Sequence, residues 1–399
     1  MANGLITSEL VSETMLARFV ASNAFINQGS RGLNGDFTQK SYVPGETVKI
    51  RKRNRLKAGD GQSATVQGIS DAVQEVSLAH QYHTMVDMTT LEEGYDLDSF
   101  TDQVVNPAID AINAKMNADI YAAALAQVNY ATGSTSSALD QSALFTAQGK
   151  MTKLQMSKAD RCLVVGTPDA AALNSSLYNT FNTQFNEDII LDGKLGRFAG
   201  FDIYEDEVID SFTAGSLAGS PVVAAQPLNG ATTLSLSGFT PGATGVLLAG
   251  DVISIEDVYS VAPLRYTSTG NLMTFVVQSN VDADGGGLAT VTVSPSINWD
   301  STSTLQNVDS RPGMGAAITR IASNTPNIAF TRSGLDIVCP PLPKLKTPEC
   351  FVKYDEKYNI AIRLAAAADI NESANLYRLD VLCGFAWHDQ YAMRLYSQA

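Results

Sequence analysis

Four cysteines, three histidines and two tryptophans in 399 residues leave little material for thiol or metal chemistry. Cys162, Cys339, Cys350 and Cys383 form no CxxC pair and stand in apolar, strand-like contexts. They read as free thiols in a chain that folds in a reducing cytoplasm, which excludes a disulfide framework. Positive charge is also short: 27 Lys and Arg face 41 Asp and Glu, a formal net charge of -14. Bulk attraction to nucleic acid is excluded, because phosphate binding needs local cations. No uncharged apolar run reaches the length of a membrane span. The segment Met1-Ala-Asn-Gly-Leu-Ile-Thr-Ser-Glu-Leu10 lacks a basic region followed by an apolar one. The expectation is a chain that neither uses a classical secretion signal nor crosses a membrane.

Catalytic motifs are missing too. GxSxG, HExxH, the Walker A loop and GxGxxG do not occur. Gly59-Asp60-Gly61 is too short to cradle a phosphate and reads as a turn. His80 and His83 lie near Asp87 and would share a face on a helix, where they could hold a metal. Val76, Leu78, Tyr82, Met85, Val86 and Met88 give the segment a strand-like pattern instead, which splits the two histidines between faces. His388 is remote in sequence. Asp282-Ala-Asp284-Gly-Gly-Gly287 resembles the start of a calcium loop but lacks further ligands, so a hairpin turn is expected. No cofactor is expected.

What is present is a large apolar fraction, 45%, enough for several cores. Residues 7–21 read as a short amphipathic helix, with Leu10, Met15, Phe19 and Val20 on its apolar side and Thr7 or Ser8 as cap. A polar stretch, 27–41, follows. The segments 46–57 and 73–90 read as the two strands of a long hairpin, joined by a loop rich in Gly, Ser and Asp. Residues 98–128 carry the clearest helical spacing, in Val105, Ile109, Ile112, Met116, Ile120 and Ala123. Ser99 and Asp102 resemble a capping box, and Pro107 either kinks this helix or marks its true start. A second helix is expected at 139–156, a buried strand at 161–166, a short helix from Thr167 to Leu173 and a loop entering a strand at 193–206. Composition shifts at Ser220-Pro221. From there to 322 the chain is rich in Thr, Ser, Val and Gly, with strands expected at 232–236, 246–255, 272–281 and 288–294: a small sandwiched or closed β domain. Asn327–Val338 resumes the α/β pattern. Two alternating strands close the chain, one with Tyr358, Ile360, Ile362 and Leu364 on a face, the other with Tyr377, Leu379 and Val381 set against Arg378 and Asp380. The β-rich block therefore reads as an insertion into a discontinuous domain.

One run of cations stands out: Lys49, Arg51, Lys52, Arg53, Arg55 and Lys57. It reads as a solvated strand, as a nucleic-acid site without interleaved aromatics, or as an arm lying on an acidic neighbour. Acids for the last reading stand at Glu92, Glu93, Asp96, Asp98 and Asp102, and at Asp202, Glu205, Asp206, Glu207 and Asp210.

The order of these parts resembles the Hong Kong 97-type capsid fold of tailed bacteriophages, and within it the coat protein of the Salmonella podovirus type, which carries an inserted β-barrel. Val48–Gly61 resembles the first arm and tip of the extended loop, and residues 99–128 stand where the spine helix does. Gly200-Phe-Asp-Ile-Tyr204 resembles a strand near the end of the first axial segment. Gly250-Asp-Val-Ile-Ser-Ile255 resembles a strand of the inserted domain, Asn327–Val338 an Asn-x-Ala-Phe strand pair, and Leu376–Trp387 the last peripheral strand. The resemblance implies an α+β fold divided into an N-terminal arm (1–40), an extended loop (41–95), spine helix and peripheral domain (96–160), axial domain (161–221 and 323–341), inserted β domain (222–322) and closing peripheral strands (342–399). It implies a non-catalytic major capsid protein that assembles with itself into pentamers and hexamers of an icosahedral shell. A scaffolding protein and a portal are the implied partners, packaged DNA is enclosed without specific binding, no membrane is involved, and the chain passes from host cytoplasm to virion. Other readings are an encapsulin-like nanocompartment shell, a metal-dependent hydrolase using His80 and His83, and a β-rich adhesin.

Overall fold

The computed structural model describes residues 19, 24–30, 44–51, 56–58, 73–89, 106–178, 196–346, 349–355, 360–369 and 374–399. The expected helix at 7–21 lies outside them except for Phe19, and so do Ser99 and Asp102. The chain forms two compact units. The first holds residues 1–51, 73–121 and 335–386; the second holds 52–72, 122–334 and 387–399.

In the first unit α1 (Ala24–Gln28) leads into the polar stretch read at 27–41. Phe19, Phe25 and Ile26 are fully buried, and Ser30 exchanges backbone hydrogen bonds with Leu335 and Ile337. The described residues 19 and 24–30 thus pack inside the first unit.

Strand β1 (Thr47–Arg51) pairs antiparallel with β2 (Val73–Ser77), as the hairpin reading requires. The second arm is not one strand. It breaks at Leu78, whose N–H donates to Glu46 and whose carbonyl accepts from Gly45. Leu78 and Val76 enter an apolar cluster, and burying them ends the hairpin. Beyond the break, β3 (His80–Thr89) joins a different sheet.

That sheet contains β15 (Leu335–Val338), β18 (Ala374–Trp387), β17 (Ile360–Asp369) and β16 (Glu349–Asp355), in that order, with β3 added beside β18. Helix α2 (Asn106–Gln127) begins at the edge of the described residues, so the expected stretch 98–105 and the choice between a kink and a start at Pro107 lie outside them. The described part is about 33 Å long. Ile109, Ile112, Met116 and Ile120 form its buried stripe. Tyr82 donates to Asp119 at 3.0 Å and so ties β3 to α2.

The second unit is built on the sheet β4-β19-β14-β5-β7-β6: β4 (Ala131–Gly133), β19 (Ala392–Gln398), β14 (Asn324–Thr331), β5 (Arg161–Val165), β7 (Phe201–Glu205) and β6 (Arg197–Phe198). Strands β5 and β14 are buried at every residue, the polar Arg161, Asn324, Thr325, Asn327 and Thr331 included. Helices α3 (Gln141–Lys153, capped by Asp140) and α4 (Thr167–Tyr178) belong to the same unit. Gly133, at φ +133, has no room for a side chain: a Cβ there would fall 2.0 Å from the carbonyl oxygen of Tyr396.

Between β7 and β14 runs the inserted all-β part: β8 (Gly219–Val223), β9 (Ala231–Phe239), β10 (Val252–Val261), β11 (Ser268–Val277), β12 (Ala289–Ile297) and β13 (Ile318–Arg320), paired β13-β10-β11-β12-β9-β8. A bridge between Val222 and Ala317 joins the two ends, so the sheet closes on itself. The strand expected at 246–255 starts late, because the buried carboxylate of Asp251 accepts the N–H groups of Leu248 and Gly215 and fixes a turn before it. The α+β class with an inserted β domain is what the chain adopts. Because the barrel closes and fills its own interior with Leu234, Ile253, Phe275, Val277 and Val291, a fragment of residues 215–322 is expected to fold alone. Its amide spectrum should be dispersed; a collapsed, narrow spectrum would refute that.

Candidate assembly surfaces

The structure distributes the cationic run over both units. Lys49 is exposed on β1, opposite Glu75 in register, and Arg51 lies opposite Val73. Lys52, Arg53 and Arg55 lie outside the described residues, as do Glu92, Glu93, Asp96, Asp98 and Asp102. Lys57 belongs to the second unit and is held there: its ammonium donates to the carbonyl of Ser301 and stands 4.4 Å over the ring of Tyr266. Asp300 is next to this contact. The N–H and hydroxyl of Thr302 hold its carboxyl below the usual range, helped by the charge of Lys57. One member of the run therefore already has partners within its own chain.

Several of the acids are engaged locally. Asp202 pairs with Arg197 at 3.6 Å, Asp206 accepts from the N–H of Val208 and Asp210 from that of Ser211.

The two histidines of the metal reading part company as the strand pattern demands. His80 stacks on Tyr82 and Phe385, with Nδ1 3.7 Å from Asp119, while His83 is exposed on the other face of β3. The Tyr82 phenol is raised by burial and by its bond to Asp119. Among the described residues no group of three His, Cys, Asp or Glu side chains could hold a metal ion. The Asp282–Gly287 segment is a turn: Asp284 accepts from the N–H groups of Gly286 and Leu288, and Asp282 from that of Gly245.

Apolar side chains exposed on the barrel escaped the sequence reading. Leu228 is 76% exposed and Met314 71%. Each stands in a turn, Pro227-Leu228-Asn229-Gly230 and Gly313-Met314-Gly315, and a large apolar residue inside such a turn was the available signal. Arg311 links the two places by donating to the carbonyls of Pro227 and Gln226.

The family model described as P22 coat protein, gene protein 5, matches residues 103–392, well over half of the chain. The chain belongs to the P22 coat protein family. It is a coat protein, and its copies associate into the capsid of a tailed phage. No curated protein matches it in sequence. Among solved structures, one described as Mycobacterium phage Che8 is 12% identical, with 93% of this chain and 90% of that chain covered and a TM-score of 0.46. The capsid of Ralstonia phage GP4 is 9% identical over 94% and 90%, with a TM-score of 0.45. The CUS-3 coat protein I-domain is 26% identical over 27% of this chain and 98% of that one, with a TM-score of 0.20.

Proposed function

We propose that this coat protein works by assembly alone, without catalysis, as pentamers and hexamers of an icosahedral shell. A scaffolding protein and a portal take part in building it, and the DNA is enclosed without being specifically gripped. The family match over residues 103–392 carries this reading. The net charge of -14 supports the last part, since an acidic wall does not hold phosphate. Assembly takes place in the host cytoplasm. Expression with neighbouring phage genes should give closed particles in electron micrographs and megadalton species in light scattering. Monomers or dimers under every condition, with scaffold present, would refute the reading.

Within that shell we assign Lys49, Arg51, Lys52, Arg53 and Arg55 to a contact with acids of an adjacent subunit, Glu92 and Glu93 among them. Lys57, bound at Ser301 and Tyr266, would end the segment on its own chain. Each exposed ion pair contributes little, about 0.2–1 kcal/mol, but a shell repeats it at every subunit. Replacing Arg51, Arg53 and Arg55 together by Glu should therefore impair particle formation while the far-ultraviolet circular dichroism of the subunit stays unchanged. Raising salt should weaken assembly of the parent, because exposed charges are screened over about 8–10 Å. A triple variant that assembles like the parent at low and high salt would end the assignment.

A further inference from the structure

Cys339 and Cys383 are 44 residues apart in sequence, yet their Sγ atoms lie 2.7 Å apart. Both are free thiols, exposed by 1% and 0%. The backbone explains the meeting. The ladder between β17 and β18 ends at Arg363 and Asp380. Past that point Cys339, the residue after β15, bridges Ile360 at the start of β17 and accepts the N–H of Ala361 at 3.1 Å. Cys383 stands on β18 opposite His80 of β3. Strand pairing on both sides fixes the two sulfurs against each other, within a small side-chain rotation of a bond about 2.05 Å long.

We infer that Cys339 and Cys383 form a redox-closable pair, converted by a low-molecular-weight disulfide such as glutathione disulfide into an internal bridge. One cysteine thiolate attacks the reagent's S–S bond, forming a mixed disulfide and releasing one small thiol. The second cysteine then displaces the other small thiol, so that the reagent takes both electrons and both protons and the protein gains one S–S bond. Burial and the adjacent sulfur raise the Cys383 thiol. The exchange therefore proceeds through transient openings of the sheet and is slow in the folded chain. Once formed, the bridge closes a loop containing β16 and β17 and restricts the unfolded chain. Cys162 belongs to the other unit, and half-buried Cys350 accepts the N–H of Leu345 at 3.3 Å. Both serve as internal controls.

The test is to incubate the purified full chain with glutathione disulfide, and in parallel to refold it in the same reagent. Each sample is then denatured, alkylated and mapped without reduction. The expected product is lighter by two hydrogens, alkylates at two of its four thiols, and yields one linked peptide joining residues 339 and 383. Its thermal midpoint should rise by several degrees, a rise absent from Cys383→Ala and from Cys339→Ala. Four alkylated thiols in both samples would overturn the inference, and so would a bridge through Cys350 or Cys162 or an unchanged midpoint in the bridged protein.

Discussion

Arg394→Met is expected to destabilise the second unit by about 3–5 kcal/mol, the range for leaving several buried polar groups without their charged partner. Arg394 is only 3% exposed. Its guanidinium donates to the carbonyls of Val128 at 2.8 Å, Gly250 at 2.9 Å and Leu125. Leu125 lies in the last turn of α2, where carbonyls have no partner within the helix. The positive charge also suits the negative end of that helix. Gly250 belongs to the turn that leads into β10 of the barrel. One side chain on the closing strand thus satisfies the end of the long helix and a turn of the inserted domain together. Methionine keeps the length and apolar stem but returns none of the three hydrogen bonds. Lysine keeps the charge but, as a compact ammonium without the planar fork, cannot serve three diverging carbonyls. Arg394→Lys should therefore fall between methionine and the parent. Urea unfolding followed by circular dichroism reads the difference as a lower midpoint at unchanged slope. A loss below about 1 kcal/mol for methionine, the scale of one ordinary hydrogen bond, would show that the clasp is not what holds these elements.

Arg394 also illustrates what a sequence reading can and cannot reach. Met393 and Leu395 flank it, so a period of two places the arginine on a solvent-facing side. The alternation is real, but that side of the sheet is covered, and a linear pattern carries no information about cover supplied by residues more than a hundred positions away. The same limit explains β17. The alternation sets Ile360, Ile362 and Leu364 on one face, yet Ala361 and Arg363 between them are also buried. Tyr358 lies outside the described residues. Strands β16 and β19 escaped the reading for a related reason: each is short and mixed, and each becomes a strand only through its ladder, β16 to β17 and β19 to β14.

Local signals were sound where the chemistry is local. Asp140 caps α3 through the N–H of Ala143. The shift in composition at Ser220-Pro221 coincides with β8, the first barrel strand. The Asn-Ile-Ala-Phe segment was legible as a strand, but the role of Asn327 was not. Its side chain accepts the N–H of Gly166 and donates to Asp169, which also accepts from Ser397. That buried network draws on three separate parts of the chain. For the candidate surface, residue type pointed to charge, but the partners Ser301 and Tyr266 of Lys57 lie more than two hundred positions along the chain and carry no motif.

Asp380→Leu is expected to cost the first unit about 3–5 kcal/mol, and the double variant Asp380→Leu, Arg363→Met should recover most of that loss. Asp380 is fully buried on β18 and faces Arg363 of β17 directly in register. Arg363 donates to its Oδ2 through Nε at 3.1 Å and Nη2 at 2.7 Å, and to the carbonyl of Pro343 through Nη1. Arg378 approaches Oδ1 at 3.0 Å from a side chain that is 39% exposed, and Gln81 of β3 adds a further hydrogen bond. The two arginines are therefore unequal. Without the carboxylate, Arg378 can turn to water, whereas Arg363, 5% exposed, keeps its charge in a place that water does not reach. The penalty comes from that stranded charge more than from the lost attraction. Removing both partners leaves an apolar cross-strand pair in a sheet whose neighbours, Leu364 and Leu379, are already buried, so packing replaces the ion pair at little net cost. Arg363→Met alone should cost less than Asp380→Leu, because Arg378 and Gln81 still satisfy the carboxylate. Thermal unfolding of the three variants and the parent gives the coupling directly. If the double variant is as unstable as the sum of the two single ones, the pair acts independently and the stranded-charge account fails.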